Sequence, residues 1–181
     1  MIHSLVSIAI ASGVLLAQSP PINKPVFEPV YRAAKALQGS TATGVKLEKY
    51  SELLQALSTE VGIVKDQRPT GHQNVKLLAL FEETLAHYDA AGIFWKAKLD
   101  GPTRGATRAV KGIPIYFEKQ KDDDAKLKLA ESYGLPITKA NAGGVLTSKL
   151  EYRWIPDDSP QRVWARAAET LEKATNLYYG R

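Results

Sequence analysis

The sequence contains no cysteine. That absence removes disulfide bridges, thiolate nucleophiles, cysteine-based zinc sites and thiol lipidation together. Histidine is scarce, with three in the chain, which leaves little material for a metal centre. Recognisable catalytic patterns are missing too: there is no G-x-S-x-G elbow, no S-x-x-K set with its partners, no Walker or Rossmann glycine spacing and no His-Glu-x-x-His pair. Basic residues outnumber acidic ones by only 24 to 19, and no run of Lys and Arg forms the dense stripe that tracks phosphates. Nucleic acid is therefore not an expected partner, and the net charge of +5 is read mainly as solvated surface charge.

What remains is an ordinary globular composition. Hydrophobic residues make up 44% and charged residues 24%, which argues against both disorder and a multi-span membrane protein. A chain of 181 residues can bury roughly 70% of the surface its unfolded form exposes, so one core can stand without covalent staples.

The one long apolar run lies at the start, LVSIAIASGVLLA from Leu5 to Ala17. It is shorter than the about 20 residues that span a bilayer and suits a signal-peptide core. Ala17 is a candidate last residue of the signal, and Ser19-Pro20-Pro21 opens the expected mature chain. No Lys or Arg precedes Lys24, and Leu15 stands where an A-x-A site prefers a small residue. The expectation is a signal peptide over residues 1–19, with a retained N-terminal anchor and a buried core helix as the alternatives for the same run, a single helical domain over 20–181, and a periplasmic or secreted location with no integral span after signal removal.

Helical periodicity dominates the rest. Phe27, Val30, Ala34 and Leu37 recur at spacings of three and four, with Gly39 and Gly44 bracketing the end. Leu47, Tyr50, Leu54, Leu57, Val61 and Val64 form the cleanest seam in the chain. After a loop over Arg68 to Gln73, Leu77, Phe81, Tyr88, Ala91 and Trp95 line a long helix that Leu78 and Leu85 widen. Two such helices pack most simply as an antiparallel hairpin, with the first helix as a third wall.

Asp100 to Gly112 reads as a basic, Gly-rich loop. Ile113 to Phe117 reads as a short strand that Pro114 confines to an edge, and Val145 to Ile155 as a second strand. An Asp of the run Asp122-Asp123-Asp124 caps a short helix through Tyr133, which Gly134 and Pro136 stop. Ser159, as N-cap, and Pro160 open a last helix with Val163, Ala167, Leu171, Ala174 and Tyr178 on one face. The fold class is mainly α: a bundle-like single domain with a small irregular or β-containing insertion.

Chemistry-bearing constellations are few. Glu83 and His87 lie one helical turn apart, a spacing that serves an ordinary i, i+4 contact as well as a ligand pair. The Asp122 to Asp124 run lacks the alternation and terminal Glu of a calcium loop, and carboxylates at a helix N-terminus explain it. Arg104, Arg108 and Lys111, set among glycines and threonines, are the anion-contact candidates, since Gly lets backbone amides approach a phosphate or carboxylate. The aromatics Tyr88, Phe94, Trp95, Tyr152, Trp154, Trp164, Tyr178 and Tyr179 are assigned mainly to core packing.

The blocks Gly44-Val45 with Tyr50 and Leu53-Leu54, then Tyr88, Ala91 and Trp95, then Tyr133-Gly134-Leu135-Pro136 resemble a set of uncharacterised exported bacterial helical proteins. The resemblance implies location and helix content, with no activity or site residues to transfer. The functional expectation is a non-catalytic binding or interaction module. An envelope protein held to an anionic polymer or lipid surface is the first alternative. An enzyme with a dispersed site drawing on Glu83, His87 and Arg104 is the second. No catalytic, cofactor-binding or metal-ligating residue is assigned, and an envelope protein or an anionic surface is the partner class envisaged.

Overall fold

The first helix, α1 (Lys24–Thr43), carries a proline in its opening turn, where a missing N–H is harmless and the fixed φ is already helical. The computed structural model describes residues 21–100, 112–117, 123–141 and 151–181. The helix runs past Gly39 to Thr43 and so ends inside the Gly39–Gly44 bracket that the sequence set. In its last turn the Thr41 hydroxyl donates to the carbonyls of Leu37 and Gln38, and that of Thr43 to Gly39 and Ser40. Gly44, at φ +90°, then breaks it.

Helix α2 (Leu47–Asp66) returns antiparallel to α1, and α3 (His72–Asp100) follows after a tight turn. The turn is shorter than Arg68 to Gln73, because His72 is already helical. Asn74 fastens it: its side-chain oxygen accepts from the Asn23 amide at 3.0 Å, and its amide nitrogen donates to the Thr70 carbonyl at 2.8 Å. One buried side chain thus ties the start of α1 to the α2–α3 corner.

Past the bundle's third helix come β1 (Ile113–Phe117), α4 (Asp123–Ser132), β2 (Thr138–Asn141), β3 (Glu151–Ile155) and α5 (Ser159–Tyr179). The strands form an antiparallel sheet in the order β1-β3-β2, with Ile113 opposite Ile155 and Thr138 opposite Trp154. Pro114 sits on an edge strand as its missing N–H requires. The expected Val145–Ile155 strand begins at Glu151 in the described part, residues 142–150 lying outside it. The sheet's other edge, β2, had no counterpart in the sequence reading.

At the start of α5 the cap is Asp158 rather than Ser159. Ser159 is buried, and its hydroxyl donates to the Pro156 carbonyl at 2.7 Å instead of accepting from a helix amide. The far end closes at Gly180 in the left-handed conformation, with the Arg181 amide reaching the Asn176 carbonyl at 2.8 Å.

Four long helices therefore run up, down, up and down, and α3 packs antiparallel along α5 as the most extensive helix pair. The anticipated stripes meet in one core: Phe27, Val30, Ala34 and Leu37 of α1, Tyr50, Leu57, Val61 and Val64 of α2, Leu77, Phe81 and Tyr88 of α3, and Ala167, Leu171, Ala174 and Tyr178 of α5. Phe27 and Phe81 stack at 6.3 Å between centroids. Each large apolar side chain buried this way stabilises the fold by about 1.5–3 kcal/mol. A second cluster, built on Ala91, Phe94, Ile113, Ile115, Leu127 and Ile155, glues the sheet and α4 onto the far half of α3. Tyr179 departs from its expected core role: it is 48% exposed, one residue round the helix from buried Tyr178.

Candidate interaction groove

Helix geometry divides α2 into two stripes. Tyr50, Leu57, Val61 and Val64 turn inward, and the residues next to them, Ser51, Gln55, Ser58, Gly62 and Lys65, turn toward the outer edge of α3. There Glu82, Leu85, Ala86 and Asp89 face them across an open groove of about 710 Å³. Small side chains on both walls leave this volume unfilled. Leu54, which periodicity assigned to the seam, is instead half-exposed and forms the floor with Val61 and Leu85. The groove runs on into a depression of about 310 Å³ lined by Leu47, Tyr50, Gly92, Ile93 and Lys96. Across Ile93 a further hollow of about 450 Å³ reaches Ala125, Lys126 and Leu129 of α4.

Behind the groove the wall is tied across three helices. The buried Tyr50 hydroxyl donates to the Tyr88 carbonyl and accepts from Trp164 Nε1 at 3.1 Å, while Trp95 stands edge-on to both rings. Burial pushes the Tyr50 phenol well above its ordinary value, so it stays neutral at any physiological pH. Gly92 fits this arrangement closely: a Cβ there would lie 3.1 Å from Tyr50 Cε1, tight enough that the ring would have to shift.

The rim is charged. Lys65 Nζ lies 2.8 Å from Glu82 Oε1 across one end, and that hydrogen bond raises the lysine above its ordinary value. Both groups are solvated, so the pair orients more than it stabilises. Asp89 is exposed midway along and Lys96 at the other end, and neither has an ion pair among the described residues.

A second constellation lies apart from these hollows. His87 Nδ1 is 2.7 Å from the Tyr133 hydroxyl, and its Nε2 is 3.5 Å from Glu83 Oε1. Arg166 stacks over the Tyr133 ring at 5.3 Å and donates to the Tyr133 carbonyl at 2.9 Å. Burial raises the Tyr133 phenol, and the nearby Arg166 charge opposes that rise. Glu83 and His87 are thus brought together as their spacing implied, whereas Arg104 lies outside the described residues. Tyr133 is the partner that sequence reasoning missed, because 46 positions separate it from His87 and no local pattern links them. Neither His87 nor Tyr133 lines any of the three hollows.

A third cluster joins the start of α1 to the end of α5. The Tyr178 hydroxyl donates to Glu28, which also accepts from Arg32 Nε at 2.7 Å; these two bonds lower the Glu28 carboxyl. Burial, reinforced by that carboxylate, pushes Tyr178 up to about 12. Lys24 Nζ sits 5.6 Å and 5.5 Å from the Tyr178 and Tyr179 ring centres. These groups answer one another and serve as an anchor between helices.

Arg104, Arg108 and Lys111, the anion-contact candidates, lie outside the described residues, as does Asp122. Asp123 and Asp124 occupy the first turn of α4, as the dipole argument requires. Among the described residues no group of three or more His, Asp or Glu is placed to hold a metal ion, and no helix is long and apolar enough to cross a membrane.

Fold and groove together define the class: a mainly-α, up-down four-helix bundle with a three-stranded antiparallel sheet and a short helix attached at one end. No family model matches the chain, and no curated protein or solved structure matches it either. The likeness to exported helical proteins accordingly rests on the sequence blocks alone.

Proposed function

We propose that the protein is an exported, non-catalytic interaction module, periplasmic or secreted, whose contact surface is the α2–α3 groove. The observation that carries this reading is the groove's make-up: an apolar floor of Leu54, Val61 and Leu85, small walls, a charged rim and no convergent set of titratable groups. Such a trough suits a macromolecular surface better than a small polar substrate, which needs an enclosed site with inward-aimed polar groups. Export is supported by the apolar run from Leu5 to Ala17. The test passes envelope extract over the immobilised protein and over Ala86→Arg, an exposed position on the groove wall. A protein retained by the wild type and lost by the variant supports the module; identical retention profiles would remove the groove from the assignment.

Catalysis is the second reading, favoured by one geometric fact. A carboxylate, an imidazole and a phenol stand in series in Glu83, His87 and Tyr133, the order in which an orienting acid and a base activate a hydroxyl. Any activity found in the protein should fall by orders of magnitude in His87→Ala and in Tyr133→Phe. Unchanged rates in both would end this reading. The envelope-surface alternative rests on Arg104, Arg108 and Lys111 and predicts binding to anionic polymer or lipid that weakens steeply with salt. Salt-independent or absent binding counts against it.

A further inference from the structure

The groove's charges form a pattern that complements itself. Lys65 on α2 stands level with Glu82 on α3 at one end. At the other end Lys96 of α3 lines the hollow beside Ser51, and Glu48 continues the Ser51–Gln55–Ser58–Gly62–Lys65 stripe of α2 by one helical step. Each helix edge therefore carries one positive and one negative end, and the two edges are opposite in sign at each level.

From this arrangement we infer that the groove is occupied by the groove of a second copy of the chain, related by a two-fold axis running along it; this rests on the reading of the groove as the contact surface. Rotation about that axis lays α2 of one copy antiparallel on α3 of the other. Lys65 then meets Glu82 of the other copy, and Glu48 meets its Lys96. Asp89 meets the amide of Gln55 and the hydroxyl of Ser58, both of which can donate to it. The apolar floors of Leu54 and Leu85 close over each other, and the four helices make an interlocked bundle of the kind small walls permit. The other two-fold axis lying in the face, at right angles to the groove, also pairs the end charges, but it places Asp89 against Asp89. Like charges held together disfavour that docking.

The α2 segment from Leu47 to Lys65 is about 27 Å long at 1.5 Å per residue. Two helices of that length cover on the order of 1,000 Å² in the complex, the lower limit of a specific interface. An interface at that limit belongs to weak, transient association, the kind that single charges on its rim can shift.

Sedimentation velocity on the full chain, from about 1 to 300 µM in low salt, reads the outcome. The expected result is a mass rising to twice that of the chain, lost in Ala86→Arg. Lys65→Glu and Glu82→Lys should each weaken the dimer about tenfold, and the double swap Lys65→Glu/Glu82→Lys should restore it. Far-UV circular dichroism matched to wild type shows that each variant is folded. A monomer throughout the range overturns the inference, and so does self-association that ignores the three single substitutions, which would place the contact elsewhere. Either result leaves the interaction module standing if envelope capture still depends on Ala86, so the two failures are told apart.

Discussion

Trp164 donates its indole N–H to the hydroxyl of Tyr50 at 3.1 Å, joining residues 114 positions apart. The same hydroxyl donates to the Tyr88 carbonyl, so one buried oxygen connects α2, α3 and α5. Tyr50→Phe takes the acceptor from the part-buried indole N–H and the donor from the Tyr88 carbonyl. The loss should be about 0.5–1.5 kcal/mol in urea unfolding, the net contribution of a typical hydrogen bond. Combining it with Trp164→Phe should cost less than the sum of the two single changes, because each already removes the shared bond. Strict additivity would show that the bond contributes nothing.

Alkaline pH offers a second check. Tyr50 is raised beyond the ordinary phenol range by burial, and Tyr88 and Tyr178 are raised to about 12, chiefly by burial. A folded value above the unfolded one means that the native state favours the protonated phenol. Its stabilising contribution is complete below about pH 10, the unfolded value. It is lost as pH rises from there through the folded values. Stability measured by denaturant should begin to fall above about pH 10, and absorbance near 295 nm should show a late group of tyrosines ionising with unfolding. A single transition near pH 10 with the fold intact would contradict this assignment.

Two glycines inside helices should respond oppositely to alanine. At Gly39 a Cβ meets nothing within 4 Å, so Gly39→Ala should stabilise by about 0.5–1 kcal/mol through reduced backbone entropy in the unfolded chain. At Gly92 the new methyl would press on Tyr50, 3.1 Å away. That ring is held by Trp164, Trp95 and the Tyr88 carbonyl and has no room to retreat. Gly92→Ala should therefore destabilise by about 1–3 kcal/mol despite the better helix propensity. Thermal melts of the pair decide the matter, and a gain at both positions would mean that Tyr50 is freer than its contacts imply.

Export has a direct measurement. Intact mass of the native protein from an envelope or secreted fraction should correspond to a chain beginning near residue 18–20, after Ala17 or close by. A protein that retains Met1 and fractionates with the cytoplasm would sink the proposal.

How far the sequence can be read depends on the range of the forces involved. The inward stripes of all four long helices were visible because a buried helical face repeats every 3.6 residues within a single segment. Leu54 shows the limit: its place in the seam was clear, but whether a neighbour covers it depends on the tilt and spacing of α3, and small residues at Ser58, Gly62 and Ala86 leave it on an open floor. The end of α1 fell inside the Gly39–Gly44 bracket, because a glycine able to take positive φ is a local fact and Gly44 takes it directly after Thr43. Strand β2, Thr138–Asn141, is four residues long with no alternation of its own and exists by pairing with β3. Pro114 on an edge strand was legible, since a missing N–H is a local fact.

The sequence by itself determined the helices, their inward faces, the freedom from disulfides and the lack of familiar catalytic motifs, all of which follow from residue type and short-range spacing. Only the tertiary structure decided that His87 meets Tyr133, that Tyr50 binds Trp164, and that an unfilled trough separates α2 from α3. The reason is physical: those relationships arise where side chains from distant segments compete for the same volume, and that competition is settled only when the helices have packed.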